Sequence, residues 1–132
     1  MEITKKIYSE MSAGELFDKI SILEIKKNKI KDKTKRNIVL KELSSLQKTV
    51  NDNIEKSKSL KKLYKKLKTV NLKLWKIEDD IRDCERKQNF EDKFIKLARA
   101  VYFTNDERSR VKNKINNLTK SNISEVKSYK KY

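Results

Sequence analysis

Residues 60–84, LKKLYKKLKTVNLKLWKIEDDIRDC, carry an apolar side chain at every third or fourth position: Leu60, Leu63, Leu67, Val70, Leu74, Ile77, Ile81 and Cys84. Alternating steps of three and four are the seam of a long helix packed lengthwise on a partner. A second line at helical spacing runs beside the seam, Asn71, Trp75, Glu78 and Arg82, and it is mostly polar. The first line sets the architecture. The second is a place to look for function.

Working outward, the ladder predicts a helix over 59–86, roughly 42 Å long at about 1.5 Å per residue. Lys87, Gln88 and Asn89 make the turn after it. The pattern then resumes over 91–118 with Phe94, Leu97, Val101, Thr104, Arg108, Val111, Ile115 and Leu118. Two long helices joined by a short turn form an antiparallel hairpin. Upstream, Ser12 with Glu15 three residues on reads as a capping box. The helix it opens carries Leu16, Ile20, Leu23 and Ile30, widened by Phe17, Ile22 and Ile25, and stops among the charges of 32–36. A further helix bears Val39, Leu43, Leu46 and Val50 and fades through Asn51, Asp52 and Asn53. The expected organisation is a lead-in over 1–11, one helical-bundle domain over 12–118, and a polar, flexible tail over 119–132. The fold class is all-α, with coiled-coil-like packing in the hairpin.

Composition agrees. One glycine and no proline in 132 residues leave few places to turn, which favours long helices over hairpinned strands. That length suits a single domain with a modest core. No run approaches the ~20 apolar residues that a bilayer span needs. Met1-Glu2-Ile3-Thr4-Lys5-Lys6 lacks the apolar centre of a signal peptide. A lone Cys84 forms no internal disulfide and fits a cytoplasmic setting. With no histidine, histidine-based catalytic triads are impossible and a zinc site is disfavoured, and nothing calls for a cofactor. The net charge of +16 invites a nucleic-acid reading. Against it, lysine outnumbers arginine 29 to 6, and lysine is the weaker residue for bidentate phosphate recognition. The abundance of Lys, Asn and Ile together also fits AT-rich coding.

Candidate chemistry lies where the hairpin seams turn polar. Arg108 stands at a core-facing position, which is costly unless the charge is paired or reaches water. Residues equidistant from the turn lie opposite one another, so Trp75, Glu78 and Arg82 face the region of Arg99, Tyr102 and Asn105, with Asp106 and Arg108 adjoining. These eight are the candidate ligand-binding residues; a buried polar network that fixes helix register is the alternative use of the same groups. A second cluster on the first helix is Glu15, Asp18 and Lys19. With an acid from 78–83, Glu15 and Asp18 have the oxygen donors for a divalent cation, although Glu15 is already explained as a cap and as a helix partner of Lys19.

Three strings together resemble a known family: Ser12-Ala13-Gly14-Glu15-Leu16-Phe17-Asp18-Lys19-Ile20-Ser21-Ile22-Leu23-Glu24-Ile25-Lys26, then Leu74-Trp75-Lys76-Ile77-Glu78-Asp79-Asp80-Ile81-Arg82, then Leu97-Ala98-Arg99-Ala100-Val101-Tyr102 with Thr104-Asn105-Asp106. The chain is similar to a bacterial family of short helical proteins, the domain of unknown function numbered 6165. The resemblance covers nearly everything from Ser12 on. It implies a helical fold and an association with surface-polysaccharide and lipopolysaccharide synthesis, but no activity that transfers to particular residues.

The resulting expectation is a cytoplasmic helical bundle, homodimeric because the hairpin has more apolar surface than one helix covers. It would act as a binding module for an anionic or sugar-phosphate ligand or for a partner protein. A basic nucleic-acid-binding protein and a Mg²⁺-dependent phosphohydrolase are the alternatives.

Overall fold

The computed structural model describes residues 4–132; residues 1–3 of the lead-in lie outside it. The described part of the lead-in has no regular structure up to Ser12. Four helices follow: α1 (Ala13–Lys29), α2 (Lys33–Asn53), α3 (Lys58–Arg86) and α4 (Asp92–Thr119). The chain is an all-α bundle with no strand among the described residues.

Three of the four helix starts are capped by a side chain. Ser12 caps α1 by accepting the amide of Glu15, Asp32 caps α2 through Lys35, and Ser57 caps α3 through Leu60. The expected capping box is only half made, because the Glu15 carboxylate reaches Lys112 on α4. Both hairpin helices end in the same six-residue turn. Gln88 and Lys120 sit in the left-handed region at φ 53° and 55°, and Asn89 and Ser121 donate back to the carbonyls of Cys84 and Asn116 at 2.9 Å each. This closure usually takes glycine, which adopts that conformation at no steric cost.

α3 and α4 form the antiparallel hairpin, and α1 lies across it while α2 packs on α1. The start of α1 meets α4 at Lys112 and Asn116, its middle touches both helices at Asn71 and Arg108, and its later turns meet α3 at Tyr64 and Lys68. The core under this crossing joins Leu16, Phe17, Ile20 and Leu23 to Val39, Leu43 and Val50, and to Leu60, Leu67, Val111 and Ile115 from the hairpin. Every rung of the α3 ladder is buried or half-buried. Leu118, read as the last rung of α4, is instead 44% exposed. Past the crossing, the hairpin continues with its own buried residues Ile77 and Cys84 and leaves Phe90, Ile95, Tyr102 and Phe103 exposed.

The only glycine of the sequence marks a close approach of α1 to α4. A Cβ on Gly14 would collide with the Lys112 carbonyl oxygen and stand 2.8 Å from Asn116 Oδ1. The Gly14 amide donates to that same Oδ1 at 2.6 Å, and the Ala13 amide donates to Ser121 Oγ at 2.9 Å. The free amides at the start of α1 are thus met by the end of α4.

In an exposed helix Gly→Ala stabilises by about 1 kcal/mol. Here Gly14→Ala should do the opposite and destabilise by about 1–3 kcal/mol, as overpacking does. A lower urea midpoint at unchanged slope is the expected result; a midpoint equal to or above that of the parent would contradict the close packing of α1 on α4.

Candidate functional site

At the crossing, a carboxylate is taken fully out of water. The Asp18 side chain is 1% exposed, and both its oxygens are engaged by the Arg108 guanidinium. Nε donates to Oδ1 at 2.8 Å and Nη2 to Oδ2, a two-pronged ion pair. Asn71 of α3 donates from Nδ2 to Asp18 Oδ1 at 2.9 Å and to Ser21 Oγ at 2.7 Å, and the Ser21 hydroxyl donates to the Asp18 carbonyl at 2.8 Å. Three helices therefore meet on one carboxylate. The hydrogen bonds that Arg108 donates to Asp18 hold its pKa above the ordinary value.

One turn further along α4, Lys112 continues the network. Its ammonium lies 2.6 Å from Glu15, 2.6 Å from Glu125 of the tail and 4.0 Å from Asp18. Burial acts to lower its pKa, but the hydrogen bonds to Glu125 and Glu15 and the charge of Asp18 outweigh it, and the net shift is upward. Asn113 clamps the same part of the tail by donating to the Glu125 carbonyl at 3.1 Å and accepting its amide at 2.8 Å. Beyond that clamp Lys127 and Tyr132 both bond Asp106, which holds the Asp106 carboxyl below its usual range. The segment 121–132, expected as a flexible tail, has no regular structure and runs back along α4 through these contacts.

Beside this network lies an open groove of about 540 Å³ between α1, α3 and α4. Trp75, Glu78 and Arg82 line it from α3, and Asn105 and Arg108 from α4. Five of the eight candidate residues are thus gathered along one groove. Arg108 belongs to both parts: its side chain is 29% exposed, and Nη1, free of Asp18, lies 3.4 Å from Asn105 Oδ1. Arg82 faces Glu78 at 3.7 Å and is otherwise open to solvent.

The other three candidates lie outside this groove, and two of them, Tyr102 and Asp106, line a neighbouring cavity with Asn105, Arg108 and Glu15. Tyr102 packs with Phe103 and Tyr132, Arg99 stacks over the Phe103 ring at 5.9 Å, and Asp106 holds the tail. In the second cluster Lys19 is exposed, whereas Glu15 and Asp18 spend their carboxylates on Lys112 and Arg108. The divalent-ion arrangement suggested by their spacing is not formed: no group of three metal-type side chains is assembled among the described residues. Lys112, Asn113, Asn116, Ser121 and Glu125 were not singled out from the sequence. A signal existed for two of them, since Arg108, Lys112 and Asn116 recur every four residues beside the apolar Val111 and Ile115. The tail contacts left no such trace.

The chain belongs to a family of unknown function, DUF6165, whose model matches residues 7–132. No curated relative and no solved structure matches it.

Two measurements check the electrostatics. Asp18→Asn leaves Arg108 partly buried without its counter-charge and should cost about 3–5 kcal/mol, the range for breaking a buried pair. Arg108→Met in the same chain should restore part of that loss; strict additivity of the two changes would argue against direct coupling. Glu24 provides a pH dependence. Burial alone would push its carboxyl up, but the hydrogen bonds from Lys68 and Tyr64 hold it below the usual 4.5. Its contribution is therefore complete above pH 4.5 and is lost as pH falls through the depressed folded value. Glu24→Gln should flatten the acid limb of the stability profile in that window, and an unchanged limb would show that the Lys68 and Tyr64 contacts are not made in solution.

Proposed function

We propose that this protein is a binding module and that its site is the groove at Trp75 and Arg108, with a sugar-containing, phosphorylated ligand as occupant. One observation carries the reading: Arg108 is anchored by a buried carboxylate while one nitrogen remains directed at Asn105 and the groove. A guanidinium fixed in this way gives up little freedom when a ligand arrives, so more of the contact energy is available for affinity. Around it stand a half-buried indole, two carboxylates, Glu78 and Asp79, and the amide of Asn105. The indole supplies a flat apolar face, and the planar polar groups supply donors and acceptors in pairs suited to neighbouring hydroxyls. Arg82, little engaged at the groove edge, is the natural partner for a phosphate. The resemblance to a family associated with surface-polysaccharide synthesis favours the same ligand class.

The homodimer expected from the sequence has support in Phe90, Ile95, Tyr102 and Phe103, which lie exposed on the part of the hairpin beyond the α1 crossing. The nucleic-acid alternative draws no support from this groove, which offers only one aromatic ring for stacking. The phosphohydrolase alternative draws none from Glu15 and Asp18, whose oxygens already face cations.

A thermal-shift screen with sugar phosphates and nucleotide-sugars tests the ligand, since a compound that binds only the native state must raise the melting temperature. Trp75→Ala, with its helicity checked by circular dichroism, should weaken any hit by about tenfold, as expected for losing one aromatic contact. Hits that Trp75→Ala and Arg82→Ala leave untouched would place the site elsewhere. Sedimentation equilibrium should report a dimer that Ile95→Glu dissociates; a monomer at every concentration would remove the dimer from the proposal.

A further inference from the structure

The solvent face of α3 is cationic over most of its length and then changes sign. Between Lys56 and Ile77 the sequence has no acidic residue. Lys58, Lys61, Lys62, Lys65, Lys66 and Lys73 are all exposed. At 3.6 residues per turn they fall within an arc of about 140°, in a straight row about 22 Å long. From Lys58 to Lys66 each lysine has another of the row three or four residues away, so this part of the row repels itself, and Lys73 stands two turns further on. Lys58 and Lys61 also stand in the first turn, where the helix dipole disfavours positive charge. The ion pairs made by α3 lysines lie off the row or at its end: Lys68 with Glu24 at 2.8 Å, and Lys76 with Asp80 at 3.3 Å. Beyond Lys76 the same face bears Asp79, Asp80 and Asp83.

We infer that this row docks the protein on an anionic bilayer surface. Coding bias toward lysine does not by itself clear one helix face of acids and then restore them on the same line. A flat anionic surface engages every charge of a straight row at once, within a screening distance of about 10 Å. A nucleic-acid duplex fits the row less well, because its phosphates wind around an axis and a straight helix meets them only where it crosses. Base recognition also needs arginine, asparagine or glutamine, or aromatic rings. Only Thr69 and Leu72 interrupt the lysines on this face. The sign change sets an orientation: the beginning of α3 lies against the surface, while the acidic stretch is repelled and lifts the hairpin turn away from it. Of the groove residues, Trp75 lies at the boundary between the two stretches and Arg82 within the acidic one, on the raised side.

Co-sedimentation with vesicles at low ionic strength decides this. Vesicles of phosphatidylcholine with one part in four of phosphatidylglycerol should bind the protein, phosphatidylcholine alone should not, and added salt should release it. Charge reversal on the row, Lys62→Glu with Lys65→Glu and Lys73→Glu, should weaken binding by on the order of a hundredfold or more, given roughly fivefold per lysine. A control with the same net charge, Lys33→Glu with Lys35→Glu and Lys41→Glu on α2, should retain most of it. Three results would overturn the inference: no binding to the mixed vesicles, an equal loss in both variants, or tighter row-dependent binding to a random-sequence DNA duplex.

Discussion

A carboxylate that is 1% exposed must be paired, and the pairing of Asp18 decides how this molecule is put together. Its two oxygens require donors at fixed directions, and Arg108 and Asn71 supply them from the two arms of the hairpin. Apolar packing alone would let α1 slide or rotate over the hairpin at modest cost. The ion pair removes that freedom, because any other register strands a charge in the core. The absence of the glycine side chain at residue 14 completes the fit by letting the two backbones approach.

The same pair divides polar groups that look alike in sequence. Inward of Arg108, Asp18, Ser21 and Asn71 satisfy one another, and no buried side-chain polar atom among the described residues lacks a partner. Outward of it, Trp75, Glu78, Arg82 and Asn105 border open space. The choice between a register-fixing network and a binding surface thus has a different answer on the two sides of one guanidinium.

Periodicity made the helices legible because burial along a helix imposes it: the α3 ladder, the Val39-Leu43-Leu46-Val50 stripe and the turn at 87–89 all stand where spacing placed them. The opposition of Trp75 and Asn105 was legible too, since a short turn fixes the register of an antiparallel hairpin. What spacing could not supply was which part of the hairpin α1 crosses. That depends on pairing across nearly the whole chain, such as Asp18 with Arg108 and Glu15 with Lys112, and local sequence records none of it. Tyr102 and Arg99 show the limit from the other side. They are at the expected height on α4, but rotated away from the groove toward Phe103.

The amides that open α1 have a consequence for the order in which the chain assembles. The acceptors for Ala13 and Gly14 belong to Ser121 and Asn116, 108 and 102 residues further along. A ribosome takes roughly 5–20 s to add that many residues at about 5–20 per second. The first helix therefore emerges early and waits with part of its start unmet, while α3 and α4 can pair as soon as the turn between them has been made. The molecule is closed last, by its final helix returning to its first.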